Sequence, residues 1–475
     1  MLQKYPDLYR NLLIATVFLG IVVLFWGVGS IPLLTFNEAR RAIPAANMIA
    51  DGDWLLPRIN GELYITKPPL LYWLSAAISY VSGAVNEWTA RIPSALSGGA
   101  IAWLVYSYAR RHFGAWSALF ALQIIIANAG FATLGRQAGI EMLLSLLCFG
   151  SLISALKYTH ENRGRNWLFL SYFLLGAALL TKGPLALLFV TLPLLLDALY
   201  QRKLRQWQAL RDPVAWLIFL IVGSSWYVAV TWHMGIDIWQ STIHKDVLTK
   251  IYGNTGEPVY NYVLWLAADF FPAFFLIFIA PITTWRHWKL HDVTISLLIA
   301  LLVPFLIYTA FSDKHAKYLL PVYPILAILL GHRLSMVFTS ASDRLKKIII
   351  VLSLILPAGF AIFYVAAEAK VFHYRYEALP LIKKWLDEEA SQVNIYGYKH
   401  LDERVIYYAN RNIPIINDSK LESLKGSDAI LLVEDSDIQR LQAEAQCTIK
   451  EFKPYLRRKG ILVALGFGAA CQGVR

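Results

Sequence analysis

Two carboxylates and a set of lysines mark this sequence chemically. Glu38 stands in Asn37-Glu38-Ala39-Arg40, and Glu141 follows Arg136 at the start of an apolar stretch. Lys67 lies between Tyr64 and the pair Pro68-Pro69, and Lys182 lies in Thr181-Lys182-Gly183-Pro184. Lys317-Tyr318 closes a polar run that begins at Ser312, and His244 and Lys250 fall in the connection 233–261. A carboxylate can take a proton from a nucleophile or position a sugar hydroxyl. Lysines suit a phosphate. Two prolines stiffen the chain and fix where Lys67 points. Each residue also has a plain structural reading. Asn37 reads as a helix N-cap with Glu38 in the first turn, where the helix dipole favours an acid, and Glu141 reads as another first-turn acid. Lys67 and Lys182 read equally as interfacial lysines reaching for water. His244 reads as an ordinary loop histidine, and 312–318 as a solvated turn.

The elements that must position these groups are set by composition. The 475 residues are 57% hydrophobic and 16% charged, against about 25% charged in an ordinary soluble domain. The apolar excess comes in blocks of membrane-spanning length. That excludes a soluble globular enzyme, a disordered chain and a disulfide scaffold. The net charge of +12 is not read as a nucleic-acid footprint, because membrane proteins hold Lys and Arg in their cytoplasmic loops. A span needs roughly 17–25 mostly apolar residues. Eleven segments qualify: about 11–29, 93–109, 115–133, 142–156, 167–181, 184–200, 213–232, 262–282, 292–311, 318–338 and 348–367. Sixteen basic residues fall in one set of alternate connections and six in the other. This bias predicts a cytoplasmic N-terminus, and eleven spans then predict an outer C-terminus. The first span is not a cleavable signal peptide, since it has no small-residue cleavage site and further spans follow.

The expected architecture is an all-α polytopic membrane domain over 1–371. It includes an outer loop, 30–92, with an amphipathic helix near 38–50 and interfacial aromatics at Trp54, Tyr64, Tyr72 and Trp73. A small extracytoplasmic α/β domain is expected over 372–475. It should have helices at 376–390 and 436–445 and strands at 393–398, 413–416, 428–433 and 460–466. Cys148 sits in an apolar run and is expected in the core, whereas the pairing of Cys447 with Cys471 depends on their compartment.

In this topology every residue singled out above lies on the outer face. Ionisable groups beside membrane spans are functional candidates by default. Convergent acids and lysines beside an aromatic-rich loop suit an anionic lipid whose headgroup lies at the outer surface. Two functions remain open on these residues alone: membrane glycosyl transfer and transport of a lipid headgroup. A transporter should show repeated halves, and no internal repeat is visible. The chain has no G-x-x-x-x-G-K-[ST] loop, no dinucleotide fingerprint and no Cys/His zinc spacing, which argues against a nucleotide-driven pump.

Six motifs in order carry a resemblance: N-E-A-R-R (37–41), G-D-W-L-L-P (52–57), N-G-E-L-Y-I-T-K-P-P-L-L-Y-W (60–73), N-E-W-T-A-R-I-P-S-A (86–95), L-T-K-G-P (180–184) and K-Y-L-L-P-V-Y-P (317–324). The chain resembles the lipid A aminoarabinose transferases and, more broadly, the protein O-mannosyltransferase relatives of the GT-C superfamily, over about residues 30–330. The resemblance implies a bacterial inner-membrane, multi-pass enzyme with a periplasmic active site. It implies a polyprenyl-phosphate sugar donor and inverting transfer to lipid A, another envelope glycolipid or a protein. It names no certain cofactor and leaves a divalent metal open. Glu38 matches the second acid of the family's Asp-Glu pair, and Glu141 matches an acidic site after the third span. Lys67 matches the lysine of a Lys-Pro-Pro motif near the lipid phosphate. Lys250 falls where relatives often place a phosphate-binding arginine. Asn37, Arg40, Tyr64, Lys182, His244, Lys317 and Tyr318 complete the expected substrate-binding set. Asn37 stands where the family usually has the first Asp, and Asn cannot act as a carboxylate base. Either Glu38 or Glu141 takes over that role, or the acceptor needs no base, as an anionic phosphate would not.

Overall fold

The computed structural model describes residues 6–33, 35–243, 257–279, 291–369, 381–390, 393–424, 426–434, 437–452 and 462–471. The chain divides into two compact units. One comprises Met1–Val28, Ile65–Ala77 and Arg91–Val365; the other comprises Gly29–Tyr64, Ile78–Ala90 and Ala366–Arg475.

The first unit is helical. Its central helix, Ile140–Thr159, is almost wholly buried, whereas Asp343–Glu368 is largely uncovered and turns Leu352, Ile355 and Ile362 outward. A long apolar helix without protein cover is what a lipid-facing span requires. Helices approach closely where side chains are small. A Cβ at Gly331 would come within 2.4 Å of Ala121 N, and one at Gly223 within 3.3 Å of Gly176 Cα. Buried arginines close the C-terminal end of the first helix, Pro6–Phe25. Arg136 donates to Val23 O at 2.9 Å and Trp26 O at 2.6 Å, and Arg91 donates to Val28 O at 2.9 Å. Carbonyls orphaned at a helix end are thereby satisfied. Cys148 is buried, as expected.

Eleven spans are not what the described residues show. Six helices are long and apolar enough to cross a membrane, or seven if Ala115–Ile126 and Ala129–Gly135, bent by 65°, form one span. The expected span 184–200 is two helices, Ala186–Phe189 and Thr191–Gln201, meeting at Val190. The expected span 262–282 opens with a short helix, Asn261–Asp269, then a 3-10 turn and four helical residues, Leu276–Ile279. Pro193 and Pro272 stand at these breaks. Proline has no N–H to continue the ladder, and a window of composition does not register that loss.

The second unit joins the loop to the tail. The amphipathic helix forms over Phe36–Asp51, with Ala39, Ala42, Ile43 and Met48 inward. Its N-cap is Thr35, whose hydroxyl accepts the Glu38 N–H, so Asn37 lies within the helix and is not the cap. Strands β1 (Arg58–Ile59) and β2 (Glu62–Leu63) form a hairpin through Asn60 (φ 54°) and Gly61 (φ 81°), the Asn-Gly pair that a two-residue turn with positive φ prefers. Among the described residues the tail holds five strands: β3 (Asn394–Tyr398), β4 (Ile415–Ile416), β5 (Ala429–Glu434), β6 (Cys447–Phe452) and β7 (Leu462–Phe467). Their order is β4-β3-β5-β7-β6. β3 is parallel to β4 and β5, and β7 is antiparallel to β5 and β6. Four strands fall on or within two residues of the expected runs. β6 was not expected, because Lys450 and Glu451 interrupt its apolar pattern. Helices occur at Ile382–Glu389 and Ile438–Glu444, near the expected stretches, and also at Glu403–Ala409 and Asp418–Leu424. Cys447 and Cys471 are disulfide-bonded.

Long-range polar contacts hold this unit together. The Tyr408 hydroxyl accepts the buried Leu33 N–H at 2.7 Å and donates to Glu87 Oε1 at 2.8 Å. Burial, reinforced by the Glu87 carboxylate, holds the Tyr408 phenol well above its usual pKa, so it stays a donor. The Asn60 amide donates to Ile413 O at 2.8 Å and accepts from Ile413 N at 2.7 Å.

Candidate functional site

Four of the expected site residues meet within the helical unit. Glu141 sits in the first turn of Ile140–Thr159, preceded by Gly139 in an extended conformation. Lys182 ends Arg165–Lys182, and the chain turns through Gly183 at φ 79°. Lys317 and Tyr318 lie on the 3-10 segment Ala316–Val322. Glu141 Oε1 is 3.4 Å from Lys317 Nζ and 3.9 Å from Lys182 Nζ. The Lys182 ammonium stands 4.7 Å from the centre of the Tyr318 ring, within cation–π range. Glu141 and Lys182 side chains are about nine-tenths buried, and Lys317 is one-third exposed. Glu141, Lys182 and Lys317 lie more than 40 residues apart in sequence at each step, and the two ammoniums converge on one carboxylate oxygen. Each ammonium carries three N–H donors and can hold a phosphate oxygen while facing Glu141.

Lys67 also belongs to the helical unit. It is half-buried, and its ammonium donates to Thr66 O at 3.0 Å just before Pro68-Pro69. Lys314 was not expected. It is 5% exposed and donates to Glu257 O at 3.0 Å and to Phe311 O. A lysine in a polar outer turn is ordinarily solvated; only the fold reveals that it is buried and pins the 312–318 segment. Neighbouring His315 packs edge-on against the Tyr318 ring.

The remaining expected residues lie in the second unit or beyond the described chain. Glu38 is 1% exposed. Tyr64 accepts a hydrogen bond from Arg41 at 3.3 Å. Arg40 lies over the Phe36 ring and places Nε and Nη2 each 2.7 Å from Glu403 Oε1. Asn37 is half-buried beside them. Glu403 is a polar residue that sequence reasoning missed, and no local signal joins residues 363 positions apart. His244 and Lys250 lie outside the described residues. Among the described residues no group of three or more His, Cys, Asp or Glu side chains is placed to hold a metal ion.

Residues 66–232 match the family described as dolichyl-phosphate-mannose-protein mannosyltransferase. An uncharacterized protein of Aquifex aeolicus is 28% identical over 337 residues, covering 69% of this chain and 64% of its own length. An undecaprenyl phosphate-alpha-4-amino-4-deoxy-L-arabinose arabinosyl transferase of Shewanella sediminis is 24% identical over 465 residues, covering 92% of this chain and 83% of its own. ArnT from Cupriavidus metallidurans, solved bound to undecaprenyl phosphate, superposes with a TM-score of 0.80 at 20% identity, covering 95% of this chain and 97% of that one. The chain therefore spans somewhat under two thirds of the first relative and most of the other two. In fold and sequence the chain resembles the undecaprenyl-phosphate aminoarabinose transferases, and over residues 66–232 it is similar to the protein mannosyltransferases.

Proposed function

We propose that this chain is an integral-membrane glycosyltransferase that moves a sugar from a polyprenyl phosphate, such as undecaprenyl phosphate, to lipid A or another envelope glycolipid. The observation that carries the reading is the buried Glu141 carboxylate shared by Lys182 and Lys317. Two of these residues fall inside the segment that matches the mannosyltransferase family. Lysines at such a place suit a lipid phosphate, and Lys67 is a further candidate for it.

Chemically, the acceptor oxygen attacks the anomeric carbon from the face opposite the phosphate. The bond from that carbon to the phosphate oxygen breaks, and its electron pair leaves on polyprenyl phosphate. The lysines stabilise the charge that grows on the leaving phosphate, as pre-placed cations do. A phosphate acceptor is already an anion and needs no base. A hydroxyl acceptor must lose its proton, and Glu141 is placed to take it, since Asn37 has no carboxylate. Glu38, buried in the first turn of its helix, is a second candidate acid within the loop-and-tail unit, where Asn37, Arg40 and Tyr64 are further candidates for substrate binding. The basic-residue bias supports a cytoplasmic N-terminus and a periplasmic site in the inner membrane.

Mass spectrometry of lipid A and envelope glycans, with and without the gene, tests this reading. A pentose- or hexose-sized adduct on glycolipid that disappears with the gene supports it. An unchanged glycolipid profile together with lost glycosylation of periplasmic proteins would move the acceptor to protein. That second reading is favoured by the mannosyltransferase match over 66–232.

A further inference from the structure

The second unit contains a cleft of about 640 Å³, within the loop-and-tail body. That size lies in the range of small-molecule sites, roughly 300–1,000 Å³. Its walls come from the loop helix Phe36–Asp51, the turn at 84–87, helix Glu403–Ala409 and the turn at 410–412. Ile43 and Ile406 supply apolar surface. Asn47, Asn410 and Asn412 contribute side-chain amides, and Lys383 contributes a cation. Among the described residues, the side chains of Asn410, Asn412 and Lys383 make no hydrogen bond or ion pair, and all three are exposed. Asn47 spends only an N–H, on Arg58 O at 3.1 Å, which leaves its carbonyl oxygen. Asn410 closes the helix Glu403–Ala409 in the left-handed conformation, at φ 51°.

The chemistry of these groups selects a ligand class. An amide both donates and accepts, and so does a sugar hydroxyl. A row of unspent amides therefore matches vicinal hydroxyls better than it matches a phosphate, which only accepts. The apolar wall matches the C–H face of a sugar ring. A peptide added as a strand would need a free strand edge, and these walls are helices and turns. Lys383 adds one site for an anionic substituent. The neighbouring Arg411 is already engaged by Asp387 at 2.6 Å.

We propose that this cleft is a saccharide-docking subsite that holds the sugar part of the glycolipid acceptor, with Lys383 facing an anionic substituent on it. The proposal rests on the glycosyltransferase reading for its choice of acceptor, and its test is separable from that reading. The full-length protein in nanodiscs is titrated with the deacylated, doubly phosphorylated glucosamine disaccharide, and with the unphosphorylated disaccharide. Binding is followed by saturation-transfer NMR. Asn410→Gly with Asn412→Ala keeps the left-handed backbone accessible and should weaken both sugars at least about tenfold, the loss expected for two hydrogen bonds. Lys383→Ala should weaken the phosphorylated sugar alone. Lys203→Ala, which the site does not use, should bind both as wild type does. If the amide variant binds sugar unchanged, the subsite is wrong. It is also wrong if a Ser/Thr-rich peptide, and not the sugar, fills the cleft. A protein that transfers sugar neither to glycolipid nor to protein, yet loses sugar binding in the cleft variants, overturns the glycosyltransferase reading and leaves the subsite standing. Cleft variants that transfer with wild-type KM overturn the subsite alone.

Discussion

In the helical unit one buried carboxylate, Glu141, faces two lysines that arrive from different elements. In the other unit Arg40 meets Glu403, Tyr408 meets Glu87, and Asn60 meets Ile413 through paired bonds. The second pattern is that of a joint: each contact brings residues more than 300 positions apart together and satisfies groups that folding would otherwise leave bare. The first pattern gathers two ammoniums about one carboxylate, with Glu141 and Lys182 about nine-tenths buried and Lys317 one-third exposed, and burying charge disfavours stability on its own. Groups held at such a cost are the ones expected to face a ligand. The contrast gives a rule for sorting the ionic residues of this chain. Convergent lysines on one acid mark the proposed chemistry, and matched pairs mark assembly.

The largest effect should come from the convergent cluster. Glu141→Gln leaves two lysines without their carboxylate, and Lys182→Ala leaves the carboxylate with one. Losing one partner of a desolvated charge pair costs about 2–5 kcal/mol, roughly 30-fold and upward in rate or affinity. Both variants should lose transfer by at least that factor at matched membrane protein levels. Lys203→Ala is the control. Its partner is Asp292 and both are about half-exposed, so about 0–1 kcal/mol is at stake. Wild-type turnover by Glu141→Gln would break the sorting rule at its strongest point.

The cluster was legible in the sequence, and the polar pairs of the other unit were not. Glu141, Lys182, Lys317 and Tyr318 declare themselves because charged residues at the ends of apolar blocks are rare and must be accounted for. Glu403 carries no such mark. It sits in an ordinary polar tail, and its role depends on Arg40 arriving from a distant loop. The helix at 36–51 was legible from its periodicity, but its cap was misplaced because Asn37 and Thr35 are both good caps. The Asn60-Gly61 hairpin carried a signal that could have been read. The expected count of eleven spans is a different matter: among the described residues six or seven helices have the length and composition of a span. Apolar composition measures what the bilayer tolerates, whereas helix continuity depends on single prolines and local bends.

Next in size is the disulfide. Cys447 and Cys471 close a segment with a sequence separation of 24, for which loop-closure entropy gives about 3 kcal/mol. Cys447→Ser with Cys471→Ser should raise hydrogen exchange across β5, β6 and β7 while leaving the helix Ile140–Thr159 protected. Equal loss of protection in both units would show that they unfold as one body. Tyr408→Phe should follow at about 1–3 kcal/mol, because the buried Leu33 N–H loses its acceptor. The folded-state pKa of Tyr408 lies above its unfolded value of about 10. Its stabilisation is therefore fully present below that pH and is lost only as pH rises through the folded value. The difference in melting temperature between wild type and Tyr408→Phe should stay constant from about pH 6 to pH 9.

The smallest expected effect decides the assignment of Arg40, which is at once a candidate for substrate binding and one half of a joint. Its side chain is 32% exposed and that of Glu403 11%, so screening reduces the pair to about 1 kcal/mol. A double-mutant cycle over Arg40→Ala and Glu403→Gln separates the two roles, because a joint couples the residues and a ligand contact does not. If Arg40 is a joint, both single variants should lower the melting temperature alike. The double variant should then cost less than their sum, and KM for the lipid donor should hold in all three. If Arg40 reaches the substrate, Arg40→Ala should raise KM while Glu403→Gln leaves it unchanged, with no coupling in stability. The first outcome extends the contrast between the units to a residue that the sequence placed in the site; the second moves Arg40 out of the joint and into the chemistry with Glu38.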